Sequence, residues 1–343
     1  MRAPFEAAAA DVHVGGAFTL DEPAAYERQQ GQLSSWMKGR FDLVVGFTVS
    51  SFPIIEAARR LSVPSVLRIG EAAPLSTVLG WLSVPIVPAI ERRAQQAFAQ
   101  ASVLMSNSHA AVETYRADGF DGTFVVVGTG IDVAGAKRYV DSSDRLAVRR
   151  RLGIRADERL LFCGASLWPI KGQALLVEAI EQLHQRQPAL TCVLMGGGIP
   201  DYADAIRSFV SRHGLEGAVR ILPFQADLRE WWIAADAAVC PSESESLPAA
   251  VLEAMAFGLP VLSCRVGDVP LFVEDGVSGW LVDHADLGAL VAGLEAVATT
   301  PPERLRVMGQ AAARSVARHF ERTEIFDQIT NLLRTTANDA TSG

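Results

Sequence analysis

The 343-residue sequence is short of lysine and cysteine. Lys38, Lys137 and Lys171 are its only lysines among 31 basic residues, so each is worth locating. Cys163, Cys192, Cys240 and Cys264 are far apart and each lies in an apolar segment, which reads as buried strand thiols and not as zinc ligands or a disulfide frame. His13, His109, His184, His213, His284 and His319 are scattered without metal-ligand spacing, and His109 reads as a structural helix-start residue. The opening MRAPFEAAAADVHV has no basic region followed by an apolar core, so no export signal is read and a cytoplasmic location is expected. No G-x-G-x-x-G follows an apolar run, which argues against a nicotinamide-dependent dehydrogenase.

Positive charge is also in deficit. The formal net charge is −8, which makes a general nucleic-acid binder a poor reading. Residues 1–150 carry 15 basic and 15 acidic side chains, so the whole excess falls after residue 150. An anionic ligand there needs local donors, because the overall field opposes it. Residues 72–90 contain no charge, yet they hold Pro74, Pro85 and Pro88, which would leave backbone groups unsatisfied in lipid. This stretch reads as a loop and short helix packed in a cleft, with a membrane-contacting surface as the alternative.

What is present is alternation. Apolar runs at 41–47, 62–69, 102–108 and 123–128 are separated by helical spacing at 53–61 and 89–100. A break follows near residue 136, where 137–153 reads as a linker entering a charged helix. A second series has strands at 159–164, 190–196, 219–223, 237–242, 260–264 and 279–282, with helices at 172–187, 201–213 and 248–257. Strand–helix alternation implies parallel sheets with covered faces, here in two α/β domains beside a cleft. One or two amphipathic helices close the chain, with Ile325, Phe326, Ile329, Leu332 and Leu333 on one face.

The most informative segment is PSESESLPAAVLEAMAFGLPV, residues 241–261. An apolar strand ends at Cys240, a loop follows, Pro248 suits a first helical turn, and Gly258 and Pro260 stop the helix. Backbone N–H groups at Ser246, Leu247 and Ala249 are placed to face an anion. Glu245 and Glu253 are eight positions apart, but Glu295 and Glu303 share that spacing, so the weight lies in the surrounding residues.

This segment resembles the donor-site motif PS-x-x-E-G-x-P-x-x-x-L-E-A-M-A-x-G-x-P-V-V of the family 4 group of retaining GT-B glycosyltransferases. CGASLWPIKGQALLVEAI (163–180), VLMGGGIPDYADAI (193–206), VRILPF (219–224) and GDVPLFVEDGVSGWLVDHAD (267–286) resemble further segments of that family in order. The resemblance covers about 150–336 well and 40–136 loosely. It implies two Rossmann-like domains: 1–136 on the acceptor side, 137–320 for the nucleotide sugar, 321–336 as a helix crossing back, and 337–343 as a tail.

By the same resemblance, Glu253 would bind the donor ribose and Glu245 would sit at the donor sugar. Lys171 would meet the diphosphate as leaving-group charge develops. Ser246, Leu247, Gly196, Gly197 and Phe224 would complete the donor side. The glycine turn through Gly198 is also compatible with an ordinary turn, and Phe224 with a core aromatic. Trp168, Trp231 and Trp232 read as packing residues. No Asp-x-Asp occurs, which agrees with a metal-independent reaction using no cofactor beyond the sugar nucleotide. The implied partners are a nucleotide-sugar donor and a carbohydrate or lipid-linked acceptor, with peripheral membrane contact through 72–90.

Four departures accompany the resemblance. The usual first strand and glycine-rich loop are not found, since DVHVGG (11–16) looks like a later strand. Ala165 and Ser166 stand where an Arg is usual, with Arg68 or Arg265 as possible substitutes. Leu271 replaces a Glu, and Asp268 replaces the second Gly of G-G-x-x-E-x-V. Gly70 and Glu71 stand where a His is common, making Glu71 the acceptor-side candidate against a loop-capping role. These departures motivate an alternative, a catalytically reduced GT-B module that binds nucleotide or scaffolds a partner.

Overall fold

A computed structural model describes residues 17–82 and 85–339. It contains two parallel sheets. The first holds β1 (Val44–Phe47), β2 (Ser65–Ile69), β3 (Val103–Ser106) and β4 (Phe124–Val126) in that order. Helices α1 (Pro23–Met37), α2 (Phe52–Arg60), α3 (Leu75–Gly80), α4 (Pro88–Ala99) and α5 (His109–Ala117) complete this lobe. Leu67, Ile69 and Leu104 pack on one face against Ile55, Ile90 and Phe98. Val66 and Met105 point to the other.

Gly130–Asp132 lead from β4 toward the helices that precede the second sheet. Residues 137–153 are not a linker. They belong to α6 (Val133–Ser142) and α7 (Arg145–Arg151), capped by the Asp132 and Asp144 side chains. The second sheet has β5 (Arg159–Gly164), β6 (Leu190–Met195), β7 (Val219–Leu222), β8 (Ala237–Cys240), β9 (Val261–Cys264) and β10 (Gly279–Val282). Their order is β10-β9-β8-β5-β6-β7. The chain builds outward from β5 through β7, then returns to β8 and builds the other way. That reversal puts a topological switch point between β5 and β8, where open α/β sheets leave a crevice at their carboxyl ends.

Helices α8 (Gln173–His184), α9 (Pro200–Arg212), α10 (Arg229–Ala234), α11 (Ala249–Ala256), α12 (Val269–Phe272) and α13 (Leu287–Thr299) flank this sheet. The four cysteines lie in β5, β6, β8 and β9; Cys163, Cys192 and Cys264 are buried, Cys240 is partly so, and all are free thiols.

The chain ends in two helices, α14 (Pro302–Phe320) and α15 (Arg322–Asp339). Between them the backbone meets the first crossing: Ile131 N–H donates to Phe320 O at 2.7 Å and Arg322 N–H to Ile131 O at 2.9 Å. A Cβ on Gly128 would lie 2.9 Å from the Phe320 ring, so glycine lets the two crossings touch. Helix α15 then covers the first sheet with Ile325, Ile329, Leu332 and Leu333. Phe326 was expected on that face but is 57% exposed. The helix runs through Asp339, so Asn338 and Asp339 are helical and not part of a tail; residues 340–343 lie outside the described residues.

Within 72–90, of which 83 and 84 lie outside the described residues, are α3 and the start of α4. Among the described residues no helix is long and apolar enough to cross a membrane. DVHVGG (11–16) lies outside the described residues. Helix α1 was not anticipated: its buried side chains include Tyr26 and Gln30, which give it little apolar periodicity.

Candidate functional site

The switch point draws together the segments after β5 and β8. After β5 the chain makes a short turn, Pro169–Lys171, and Gly172 adopts φ +68° before α8 begins. A Cβ there would sit 2.0 Å from Pro241 O, so glycine is required both by the left-handed backbone and by the approach of the β8 loop. The two loops are tied by Glu243 N–H donating to Ile170 O at 2.9 Å. Lys171 Nζ thereby reaches Glu245 Oε1 at 2.6 Å, and Ser242 Oγ donates to the same oxygen at 2.8 Å. Both side chains are largely but not fully enclosed, at 27% and 14% exposure. A cation and a carboxylate separated by 74 positions in sequence are thus one charge-assisted pair in space.

Pro248 caps α11 with extended backbone and no side-chain hydrogen bond. Among the described residues the N–H groups of Ser246, Leu247 and Ala249 have no acceptor. They are the orphan donors expected where a loop enters a helix. Glu253 lies on the next turn and is half-buried. Burial pushes its pKa up, partly offset by a hydrogen bond from the Trp232 indole. Glu253 lines a cavity of about 620 Å³ with Arg229, Tyr139, Asp132 and Phe257. The Arg229 guanidinium lies 4.7 Å above the Tyr139 ring. Lys171 and Glu245 are not among the walls of this cavity.

The glycine turn after β6 packs against the loop after β5. A Cβ on Gly196 would meet Ala165 O at 2.2 Å, and one on Gly198 would meet Leu167 O at 2.2 Å. Their close approach is to the loop after β5, not to open cleft. Gly197 is the unobstructed one, 3.8 Å from Phe224 Cβ. Phe224 is 70% exposed, so it is not a core aromatic. Trp231 and Trp232 pack on Phe162 as expected, but Trp168 is 50% exposed and is not a packing residue.

On the opposite wall stand the carboxyl ends of β1, β2 and β3. Glu71 Oε2 accepts from Gly70 N–H at 2.9 Å, which is the loop-capping arrangement. Thr48, after β1, has φ +65°, an uncommon conformation for a non-glycine residue that its letter did not signal. Arg265 lies 3.7 Å from both Asp275 and Asp283, which leaves it engaged and not a spare phosphate cation. Among the described residues Arg68 has no ion pair. Leu271 is 64% exposed.

Residues 157–300 match the family described as Glycosyl transferases group 1. The D-inositol 3-phosphate glycosyltransferase of Segniliparus rotundus is 31% identical over 204 residues, covering 56% of this chain and 43% of that protein. The same-named protein of Kribbella flavida is 31% identical over 243 residues, covering 67% of this chain and 55% of its own length. The chain therefore spans about half the length of the curated relatives it matches. Among solved structures, HepE of Anabaena in complex with UDP superposes with a TM-score of 0.80 at 23% identity, covering 97% of this chain and 89% of that one. The same protein with UDP-glucose gives 0.80 at 23% identity, covering 97% and 88%. Residues 157–300 are thus similar to the glycosyl transferases group 1 family, and the chain is carried on a GT-B fold.

Proposed function

We propose that the protein transfers a sugar from a nucleotide-diphosphate donor, with uridine as the base, to a carbohydrate or lipid-linked acceptor, with retention of anomeric configuration. The observation that carries this reading is the Lys171–Glu245 pair at the switch point, 2.6 Å apart, beside the unpaired N–H groups of Ser246 and Leu247. A diphosphate seated there meets the Lys171 ammonium and the donors at Ser246 and Leu247. Together they stabilise the charge that develops as the glycosidic bond to phosphate breaks. Glu245, freed from its partner, accepts from donor-sugar hydroxyls. Glu253 accepts from the ribose hydroxyls within its cavity, and Phe224 offers an exposed ring to the base. The complexes of HepE with UDP and UDP-glucose support the choice of base.

Glu71 is the acceptor-side group of this reading, released from Gly70 when an acceptor hydroxyl replaces that N–H. The domains proposed are 1–136 and 137–320 with a crossing helix. Trp81, 59% exposed in the uncharged 72–90 stretch, supports a peripheral membrane contact on the acceptor side.

Calorimetric titration with UDP tests the donor site. Wild type is expected to bind UDP, and Glu253→Ala and Lys171→Ala to bind it roughly tenfold to a hundredfold more weakly, in keeping with loss of a hydrogen bond to a charged group. Equal affinity in all three proteins refutes the assignment.

A further inference from the structure

The donor loop does not rest on its own lobe alone. Helix α5 of the first lobe begins at the cleft, and its first three N–H groups are all accounted for. Ser108 Oγ accepts from Ala111 N–H at 3.1 Å, the usual cap. The other two donors are taken from across the cleft: Asp268 Oδ2 accepts from His109 N–H at 2.7 Å, and Oδ1 from Ala110 N–H at 2.9 Å. His109 Nδ1 lies 3.0 Å from the same Oδ2, which assigns the proton to that nitrogen. A carboxylate sharing both oxygens with the positive end of a helix is a strong arrangement. Asp268 is only 7% exposed, so little water competes for it.

The same turn grips the donor loop. Asp268 N–H donates to Ser246 O at 3.1 Å, and a Cβ on Gly267 would lie 2.3 Å from Ser246 O and 2.4 Å from Glu245 O. From the other side, Ser246 Oγ lies 2.6 Å from Ser108 Oγ and 2.8 Å from Asn107 Oδ1. The proton direction is determined. The Asn107 oxygen only accepts, so Ser246 donates to it, and Ser108 in turn donates to Ser246. The loop carrying Glu245 is held between the Gly267–Asp268 turn of its own lobe and the Asn107–Ser108 turn of the other.

We infer that Asp268 is a positioning residue: its carboxylate latches the second lobe onto the start of α5, and this latch sets the position of the donor loop at Glu245–Ser246. The stretch GDVPLF departs from a G-G pattern at this residue. A glycine there keeps the backbone bond to Ser246 but has no group to cross the cleft. Closure of the lobes and ordering of the donor loop are then one event, because the segment that binds donor is also the segment that touches the first lobe. The donor-site reading enters only through the name of that loop; the latch is a property of the unliganded chain.

Hydrogen exchange read by mass spectrometry on the unliganded full chain tests it. Asp268→Gly is expected to raise exchange roughly tenfold or more both at 108–111 and at 243–247, while β6 (190–195) keeps its protection and shows that the fold is intact. Asp268→Asn, which keeps an acceptor and loses the charge, is expected to recover part of the protection at both segments. Asn107→Ala, which leaves Asp268 in place, is expected to loosen 243–247 more than 108–111. If Asp268→Gly loosens 108–111 and leaves 243–247 as in wild type, Asp268 is a helix cap and nothing more, and the inference is overturned. No change at either segment overturns it as well. Failure of the donor-site reading shows differently, as the absence of UDP protection at 169–173 and 243–253 in wild type, whatever the variants do.

Discussion

The two lobes use the same alternation of strand and helix but are held together by different means. In the second lobe the central strands are buried on both faces, the tight places are made by glycine, at Gly172, Gly196 and Gly198 against neighbouring backbone, and a buried arginine, Arg149, ties backbone carbonyls together, donating to Ala234 O and to Glu158 O at 2.7 Å each. The first lobe adds a polar web beneath α1. Glu56, only 4% exposed, accepts from Tyr26 Oη at 2.8 Å, from Arg60 Nη2 at 2.9 Å and from Arg93 Nη2 at 2.5 Å. Arg93 also lies 4.4 Å over the Tyr26 ring, and Gln30 donates to Tyr26 Oη at 3.0 Å. Burial and the Glu56 charge together push the Tyr26 phenol far up, so it stays a donor. An apolar core tolerates exchange among residues of similar volume, whereas a web of this kind fails when one member is removed.

The sharpest way to break the comparison is Glu56→Ala. It leaves Arg93 and Arg60 without their shared buried carboxylate and Tyr26 without its acceptor. A loss of about 3–5 kcal/mol is expected, read as a lower urea midpoint for probes in the first lobe while the second lobe unfolds as before. A single joint transition at the wild-type midpoint would erase the distinction between the lobes.

A smaller effect separates binding from stability in the second lobe. Burial raises the Glu253 pKa above 4.5, so its carboxylate protonates earlier on acidification than a free one. Its contribution to the stability of the unliganded protein is present below pH 4.5 and is lost as the pH rises through the raised value. UDP affinity has the opposite sign: it should weaken as the pH falls through that value, because the protonated group is a poorer acceptor for the ribose. Titration of UDP affinity against pH checks this, with Glu253→Gln expected to be flat over the same range.

A pair of neighbouring substitutions sharpens the boundary between the lobes. Ile325→Ala on α15 should cost about 2–5 kcal/mol through a cavity at the first sheet. Phe326→Ser, one position on, should stay within about 0.5 kcal/mol. Thermal unfolding of the two variants decides whether α15 is seated as described.

Legibility did not follow that division, since α13 (Leu287–Thr299) in the second lobe went unread as α1 did in the first. In the second lobe every strand was placed within a residue or two, because its motifs couple neighbours in sequence: an apolar run, a turn residue, a helix start. Lys171, Glu245 and Glu253 were singled out through the family resemblance of the segments that carry them. The approach of Ala165 O to Gly196 and of Leu167 O to Gly198 was not legible, because a short glycine run signals close approach without naming what approaches. In the first lobe α1 went unread, since its burial depends on polar partners 23 and 30 positions away. Trp168 and Phe326 were read as packed because apolar letters at suitable spacing do not reveal that nothing covers them.

Sequence alone determined the two alternating series, the strand–loop–helix units and the order of the motifs, because hydrophobic period and turn chemistry act over a few residues. Only tertiary structure decided that Lys171 meets Glu245, that Glu253 opens into a separate cavity, and that Asp268 reaches the first turn of α5. Those pairings depend on strand order and on how two lobes close over a hinge, and contacts across such distances leave no local pattern to read.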